Sequence, residues 1–389
     1  MRKKLFIVFS VFAFTGCSTR DMASFTNAAL SRDPSSAFKT LARSKVTSYA
    51  QNPMILANDI KAMDAFLREF KKNIASIWGD DNIKIPKQKE YVKYMQNYKS
   101  RALIDFDKGI VTVETMDDKD PKASLKNAVV TTLLLPDDPR SVDLFSSKPI
   151  KLGQTPYLLG EVKDDEGKEI RYGWRANRYA DILIDKGLKQ KSIKKDGKEV
   201  KVHYVDIEMV KDHADIRVAK FKPLVQKYAK KYRVSENLLY AIIQTESNFN
   251  QFAVSGAGAI GLMQIVPSSA GKDAYSHVKG RSWTPTKSYL FDASNNIELG
   301  SAYIQILDDK YLDGIANPVS KEYCTISAYN TGSGNVLKTF NSNRDRAIEV
   351  INKKTASEVY KELRQRLPYE ETRSYLKKVV EYKKDFINI

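Results

Sequence analysis

The stretch SENLLYAIIQTESNFN, residues 235–250, decides the fold of the carboxy-terminal half. Ser235 stands where an N-cap is expected, and Leu239, Ile242 and Ile243 recur at the spacing that gathers apolar side chains on one helix face. Glu246 follows them by seven, four and three positions, so a carboxyl group continues the buried stripe. It also falls in the last turn of the helix, where the macrodipole disfavours negative charge. Burial and dipole both raise a carboxyl pKa, the condition a general acid needs to keep its proton near neutral pH. Leucine or lysine would serve stability better at this position.

Downstream, the apolar spacing predicts helices at 216–231, 235–247, 258–266, 268–275, 294–309, 320–330, 344–352, 357–366 and 370–386, separated by turns rich in Gly, Pro, Asn and Ser. Strand signals disappear after Val210, so 211–389 reads as an all-α domain. Two blocks stand out within it: SGAGAIGLMQ, 255–264, and AYNTGSGNV, 328–336. The glycines of the first let a backbone approach a ligand closely, although Gly261 inside an apolar helix costs about 1 kcal/mol. Met263 and Gln264 offer a soft apolar surface and an amide. Tyr329 can pack on a sugar face, and Asn330 is both donor and acceptor. Ser268 and Ser269 read as helix caps rather than nucleophiles.

Upstream, the pattern is mixed. Ile60, Met63, Leu67, Phe70, Ile74 and Ile77 predict one helix, and Tyr91, Met95 and Tyr98 share a face of a second. Strand-like segments follow: Leu103 to Phe106 and Ile110 to Val113 around Asp107-Lys108-Gly109, then the apolar run Val129 to Leu135. Trp174 to Ile184 is helical again. Asp196-Gly197, between alternating segments of 189–210, is a two-residue hairpin signal. Residues 51–210 thus read as an α+β domain with at least four strands, placed ahead of the helical one.

The chain begins with Arg2-Lys3-Lys4, a short apolar run from Leu5 to Phe14, and Thr15-Gly16-Cys17-Ser18. That is a secretory signal over 1–16, and it resembles the signal of bacterial lipoproteins, in which the cysteine thiol receives diacylglycerol. The resemblance implies lipidation at Cys17, a tether over 17–50 and, from Ser18 in place of Asp, an outer-membrane address facing the periplasm. Cys324, the other cysteine, is expected to be a small buried hydrophobe. The 389 residues exceed one ordinary core, and 42% hydrophobic with 29% charged residues are globular values. A net charge of +17 favours a polyanionic partner: nucleic acid, anionic lipid or acidic cell-wall glycopeptide. An extracytoplasmic address removes nucleic acid. His203, His213 and His277 show no metal spacing and no triad partner. The glycines at 256–261 follow no strand and lack a phosphate-binding lysine, so no metal or organic cofactor is expected.

Taken in order, the blocks E-S-x-F-N, G-x-x-G-L-M-Q and A-Y-N-x-G-x-G-x-V, with PYEETRSY at 368–375, resemble the lytic transglycosylases of the goose-type lysozyme-like superfamily. Gln251, Thr331 and Ser333 depart from that pattern. The resemblance implies a lysozyme-like catalytic domain with Glu246 as sole acid and base, and a cleft lined by Ser255, Met263 and Gln264. It implies Tyr329 near the scissile bond, Asn330 supporting the adjoining loop, and Glu371 and Tyr375 holding saccharide or orienting the site. Glu371 is preferred to Glu370 because Glu-Thr-Arg-x-Tyr is the closer match. The implied substrate is the glycan strand of peptidoglycan, cleaved without water to leave 1,6-anhydro ends, by a chain acting as a monomer. Two alternatives stay open: a muramidase in which Glu371 or another acid activates water, and a catalytically silent wall-binding lipoprotein. A basic amino-terminal domain that binds anionic lipid or muropeptide is compatible with any of them.

Overall fold

An antiparallel sheet flanked by helices is followed by a body of short helices; the computed structural model describes residues 68–153, 155–255 and 258–387. The strands are β1 (Glu90–Met95), β2 (Ser100–Asp105), β3 (Ile110–Thr115), β4 (Lys189–Lys195) and β5 (Lys198–Glu208), in the spatial order β1-β2-β3-β5-β4, all neighbours antiparallel. Both tight turns use the expected chemistry. Asp105 Oδ1 accepts from the amides of Asp107 and Lys108 at 3.1 and 2.9 Å. Asp196 and Gly197 both have positive φ, 49° and 76°, as a two-residue turn joining β4 to β5 requires.

Both faces of the sheet are covered. One presents the rows Ala102–Val113–Val205 and Ile104–Val111–Ile207, all buried, beneath α2 (Pro121–Leu133) and α3 (Gly173–Gly187). The other carries Tyr94, Arg101 and Glu114 in register. There Arg101 donates to Glu114 at 2.7 Å and lies 3.7 Å from the Trp78 ring of helix α1, residues 68–78.

Two upstream segments differ from expectation. Tyr91 and Met95 lie on β1, not on a helix, and Tyr98 sits in a turn with Gln96 and Asn97, all three at positive φ. Every residue from Tyr91 to Met95 is buried because both sheet faces are covered, so the apolar period carried no information there. Val129–Leu133 ends α2 instead of forming a strand. Asp120 caps that helix by accepting from the Ala123 amide, and Pro121 begins it, so the start signal outweighs β-branched propensity. Phe70 and Ile74 are buried on α1, while Ile60, Met63, Leu67 and Cys17 lie outside the described residues.

The helical body comprises α4 (His213–Tyr232), α5 (Glu236–Ser247), α6 (Lys272–Lys279), α7 (Lys287–Phe291), α8 (Ala293–Ile306), α9 (Pro318–Thr331), α10 (Ser333–Phe340), α11 (Arg344–Asn352), α12 (Ala356–Arg366) and α13 (Glu370–Asp385). α5 is central: Leu238 through Ile243 are all buried, against α13 and α4. Ser235 occupies its N-cap position without a side-chain capping bond. Residues 258–266 are not helical, since Gly261 and Gln264 take φ of 76° and 48° in a turn closed by Val254–Ile260 and Ile260–Ile265 bridges. Ser268 and Ser269 fall inside a wide turn, Pro267–Gly271, that leads into α6. Neither α7 nor α10 was anticipated; at five and eight residues both are too short to establish a period. Cys324 is fully buried on α9.

Candidate active site

Glu246 ends α5 with 9% of its surface exposed, at the floor of a cleft of about 840 Å³. The chain turns sharply behind it. Ser247 Oγ donates to the carbonyls of Ile243 and Leu262 at 3.1 and 2.8 Å, and Asn248 and Phe249 both take left-handed backbone, φ 49° and 58°. Burial pushes the Glu246 carboxyl up to about 8; the Tyr375 hydroxyl opposes that shift and the Glu371 charge adds to it. Glu246 is therefore protonated at neutral pH.

The wall beside it is formed by residues 253–255 and 258–266, held from below by α8. Asn296, fully buried, donates to the carbonyls of Ile260 and Leu290, both at 2.8 Å, and accepts from the Met263 amide at 2.8 Å. Gly261 has to be glycine: a Cβ there would lie 2.4 Å from Asn296 Nδ2 and 2.8 Å from the Leu290 carbonyl. Ser255 Oγ accepts from the Ala259 amide at 3.0 Å. Gln264 donates to the Gly261 carbonyl at 2.9 Å, while its buried Oε1 has no partner.

Met263 does not line the cleft. Its side chain is fully buried against α8, filling the space that a Cβ on Gly300 would take, 2.3 Å from the sulfur. An unbranched apolar chain beside a glycine is drawn into the core. What Met263 offers the site is its carbonyl, which accepts from the Tyr329 hydroxyl at 2.8 Å.

Tyr329 and Asn330 come from the end of α9. The Tyr329 hydroxyl is raised well above its ordinary value, by burial and then by the Glu246 charge. Asn330 Oδ1 accepts from Thr372 Oγ1 at 2.6 Å, which ties α9 to α13. From α13, Tyr375 is 6% exposed and aims its hydroxyl at Glu246 without a hydrogen bond of normal length. Glu371 is exposed at the cleft mouth, with Glu370 beside it. Six predicted residues thus line one groove, Glu246, Ser255, Gln264, Tyr329, Asn330 and Glu371, and a seventh, Tyr375, stands buried against Glu246.

Sequence reasoning missed Asn296, Thr372 and Gln88. Gln88 lies just before β1, lines the cleft, and accepts from Asn250 Nδ2 through its carbonyl at 2.9 Å. A polar Asn on the buried face of α8 was a usable signal; nothing in the sequence marks Gln88. Among the described residues no three His, Cys, Asp or Glu side chains gather as a metal site.

Residues 56–220 match the family described as membrane-bound lytic murein transglycosylase C, N-terminal domain, and 223–352 match the transglycosylase SLT domain. The chain is similar to the membrane-bound lytic murein transglycosylase C of Serratia proteamaculans, 43% identical over 85% of this chain and 91% of that protein. Its counterpart in Cronobacter sakazakii is 44% identical over 82% of this chain and 88% of that one.

The chain belongs to the membrane-bound lytic murein transglycosylase C family.

Among solved structures, it is similar to a lytic transglycosylase Slt from Pseudomonas aeruginosa, at 27% identity over 42% of this chain and 23% of that one, TM-score 0.32. In this member of the transglycosylase C family the SLT match stops at residue 352. Glu371 and Tyr375 lie beyond it, and α13 packs back along α5 to bring Glu371 to the groove and Tyr375 against Glu246.

Proposed function

We propose that this protein is a peptidoglycan lytic transglycosylase that cleaves the β-1,4 bond between N-acetylmuramic acid and N-acetylglucosamine without water. Glu246 serves as the single general acid and base. The observation that supports this most is a carboxyl raised to about 8 in an open groove, protonated at rest and able to ionise in turn. Neutral Glu246 gives its proton to the leaving O4 of N-acetylglucosamine as the C1–O4 bond breaks. The 2-acetamido group of the muramoyl sugar stabilises C1, the substrate-assisted exception to two-carboxylate glycosidases. Ionised Glu246 then takes the proton of the O6 hydroxyl, and O6 bonds to C1 to close the 1,6-anhydro ring. The nucleophile is already part of the reacting sugar, so its effective molarity exceeds that of solvent water.

The remaining residues take supporting parts. Gln264 Oε1, otherwise unpartnered, accepts from a sugar N–H or O–H. Ser255 holds the loop, Tyr329 fixes the Met263 carbonyl, Asn330 and Thr372 join α9 to α13, Tyr375 steadies the acid, and Glu371 meets saccharide at the mouth. No described helix is long and apolar enough to cross a membrane. Membrane association is assigned to lipid on Cys17 in the outer membrane, with 17–50 as tether into the periplasm, 51–210 as accessory domain and 211–389 as a catalytic domain acting in a monomer.

Mass spectrometry of products from purified sacculi tests this directly. Anhydro ends lack one water relative to hydrolysed ends, and Glu246→Gln should abolish them. Hydrolysed ends would favour a muramidase using Glu371, which shares the cleft. A variant that keeps most of its activity would remove Glu246 from the chemistry.

A further inference from the structure

The three residues that follow the Glu246 helix are bonded to the amino-terminal domain one after another. Asn248 Nδ2 donates to the Phe106 carbonyl at 3.0 Å and to Asp107 Oδ1 at 2.8 Å, both in the β2–β3 turn. The Phe249 carbonyl accepts from the Tyr157 hydroxyl at 3.4 Å, and Asn250 Nδ2 donates to the Gln88 carbonyl at 2.9 Å. Phe252 is then clasped between the rings of Tyr91 and Tyr157, with centroids 5.2 and 4.8 Å away.

A buried charge network closes the same joint. Arg217 of α4, wholly buried, donates Nη1 to the Asn248 carbonyl at 3.0 Å and Nε to Glu161 at 2.8 Å. Glu161, equally buried, also accepts from Lys220 at 2.5 Å. Such a pair contributes little net stability but fixes one geometry, since either partner alone is an uncompensated buried charge. Asn248 takes left-handed backbone as the C-cap of α5, where Asn is common, but Phe249 beside it holds the same region, which a bulky residue keeps only where surroundings over-determine it. Other contacts also join the two domains, Gln251 with the Asp137 carbonyl and Arg140 with Asp292 at 3.4 Å among them, but those to residues 248–250 grip the main chain and amides within four residues of the acid.

Resting on the transglycosylase reading above, we propose that the amino-terminal domain is part of the catalytic apparatus. It positions Glu246 by clamping residues 248–250, with Asn248 as the positioning residue. The titratable groups facing Glu246 itself are Tyr375 and Glu371 of α13 and Tyr329 of α9. None belongs to the clamp, so the clamp acts on placement and water access and not through charge.

Full-length Asn248→Gly tests the idea, because glycine keeps the left-handed backbone and the carbonyl that Arg217 grips while removing the amide. On soluble uncross-linked glycan strands kcat should fall about tenfold with KM within about twofold. The alkaline loss of activity should begin about one pH unit lower, as water reaching a loosened Glu246 lets it ionise sooner. Asp107→Ala, at a turn side chain that is 54% exposed, leaves the fold intact and removes one of the two acceptors. It should lower kcat about threefold, in the same direction. An unchanged kcat and pH profile in both variants overturns the proposal. So does a loss of activity that tracks only the loss of folded protein. Glu246→Gln is measured alongside. If it stays active, the acid reading has failed; if it is inactive while both clamp variants behave as wild type, only the positioning role has failed.

Discussion

Replacing Glu246 by Gln should make this protein harder to unfold at neutral pH. The carboxyl titrates near 4.5 in the unfolded chain and at about 8 in the folded one, chiefly because folding buries it. Between those values the folded chain holds a proton that the unfolded chain has released, so stability falls as pH rises through the window. At about 1.4 kcal/mol per pH unit, the native state is disfavoured by about 3 kcal/mol at pH 7 and by about 5 kcal/mol above pH 8. Gln has nearly the same size and no charge at any of these pH values. Wild type and variant should therefore match at pH 4 and separate progressively above it. Urea unfolding at pH 4, 7 and 9, read by far-ultraviolet circular dichroism, gives the comparison. With a slope of about 3 kcal/mol per M, the variant's midpoint at pH 7 should lie about 1 M higher. Stability curves that run parallel at all three pH values, or a variant weaker at pH 7, would show that Glu246 carries no raised pKa in the folded state.

Tyr375→Phe removes the hydroxyl that holds the Glu246 pKa down, so the alkaline edge of the rate profile should move to higher pH while kcat falls; an edge that stays or drops contradicts the contact. Asn296→Asp keeps the acceptor for the Met263 amide but turns a carboxylate toward the Ile260 and Leu290 carbonyls. Removing two buried donors and adding a buried charge should destabilise by about 3–5 kcal/mol in calorimetry, and a loss below about 1 kcal/mol would refute the bracing role.

The helical half was legible because its longer helices are periodic: α4, α5, α9, α12 and α13 fall within a few residues of expectation. Periodicity failed where burial is not one-sided. β1 is buried on both faces and mimicked a helix at Tyr91 and Met95, and the apolar end of α2 mimicked a strand. The loop 258–266 looked helical because its apolar residues are inward, yet Gly261 and Gln264 take a backbone no helix contains. Glu246 was found because a carboxyl broke an apolar stripe. Met263 was misplaced because composition cannot say whether an apolar side chain beside a glycine faces a ligand or the core. Gln88 was beyond reach, since it joins the groove only through the packing of two domains.

Strain in the helical body is not scattered. Its described non-glycine residues with positive φ are Arg233, Asn248, Phe249 and Gln264; Gln264 lines the groove, and Asn248 and Phe249 follow Glu246 by two and three residues. The buried acceptor of Gln264 that lacks a partner and the carboxyl of Glu246 held neutral by burial lie there too. Each is unfavourable for folding, by about 1–3 kcal/mol for a strained residue or an unmet buried acceptor. Each persists because something rigid stands behind it: Asn296 and Gly300 of α8 behind Gln264, and the turn at Phe106 with the Glu161–Arg217 pair behind Asn248. A domain selected for stability alone would relax these sites first. The sheet and α8 supply the stability that lets a neutral carboxyl and a buried, unmet acceptor persist beside one cleft.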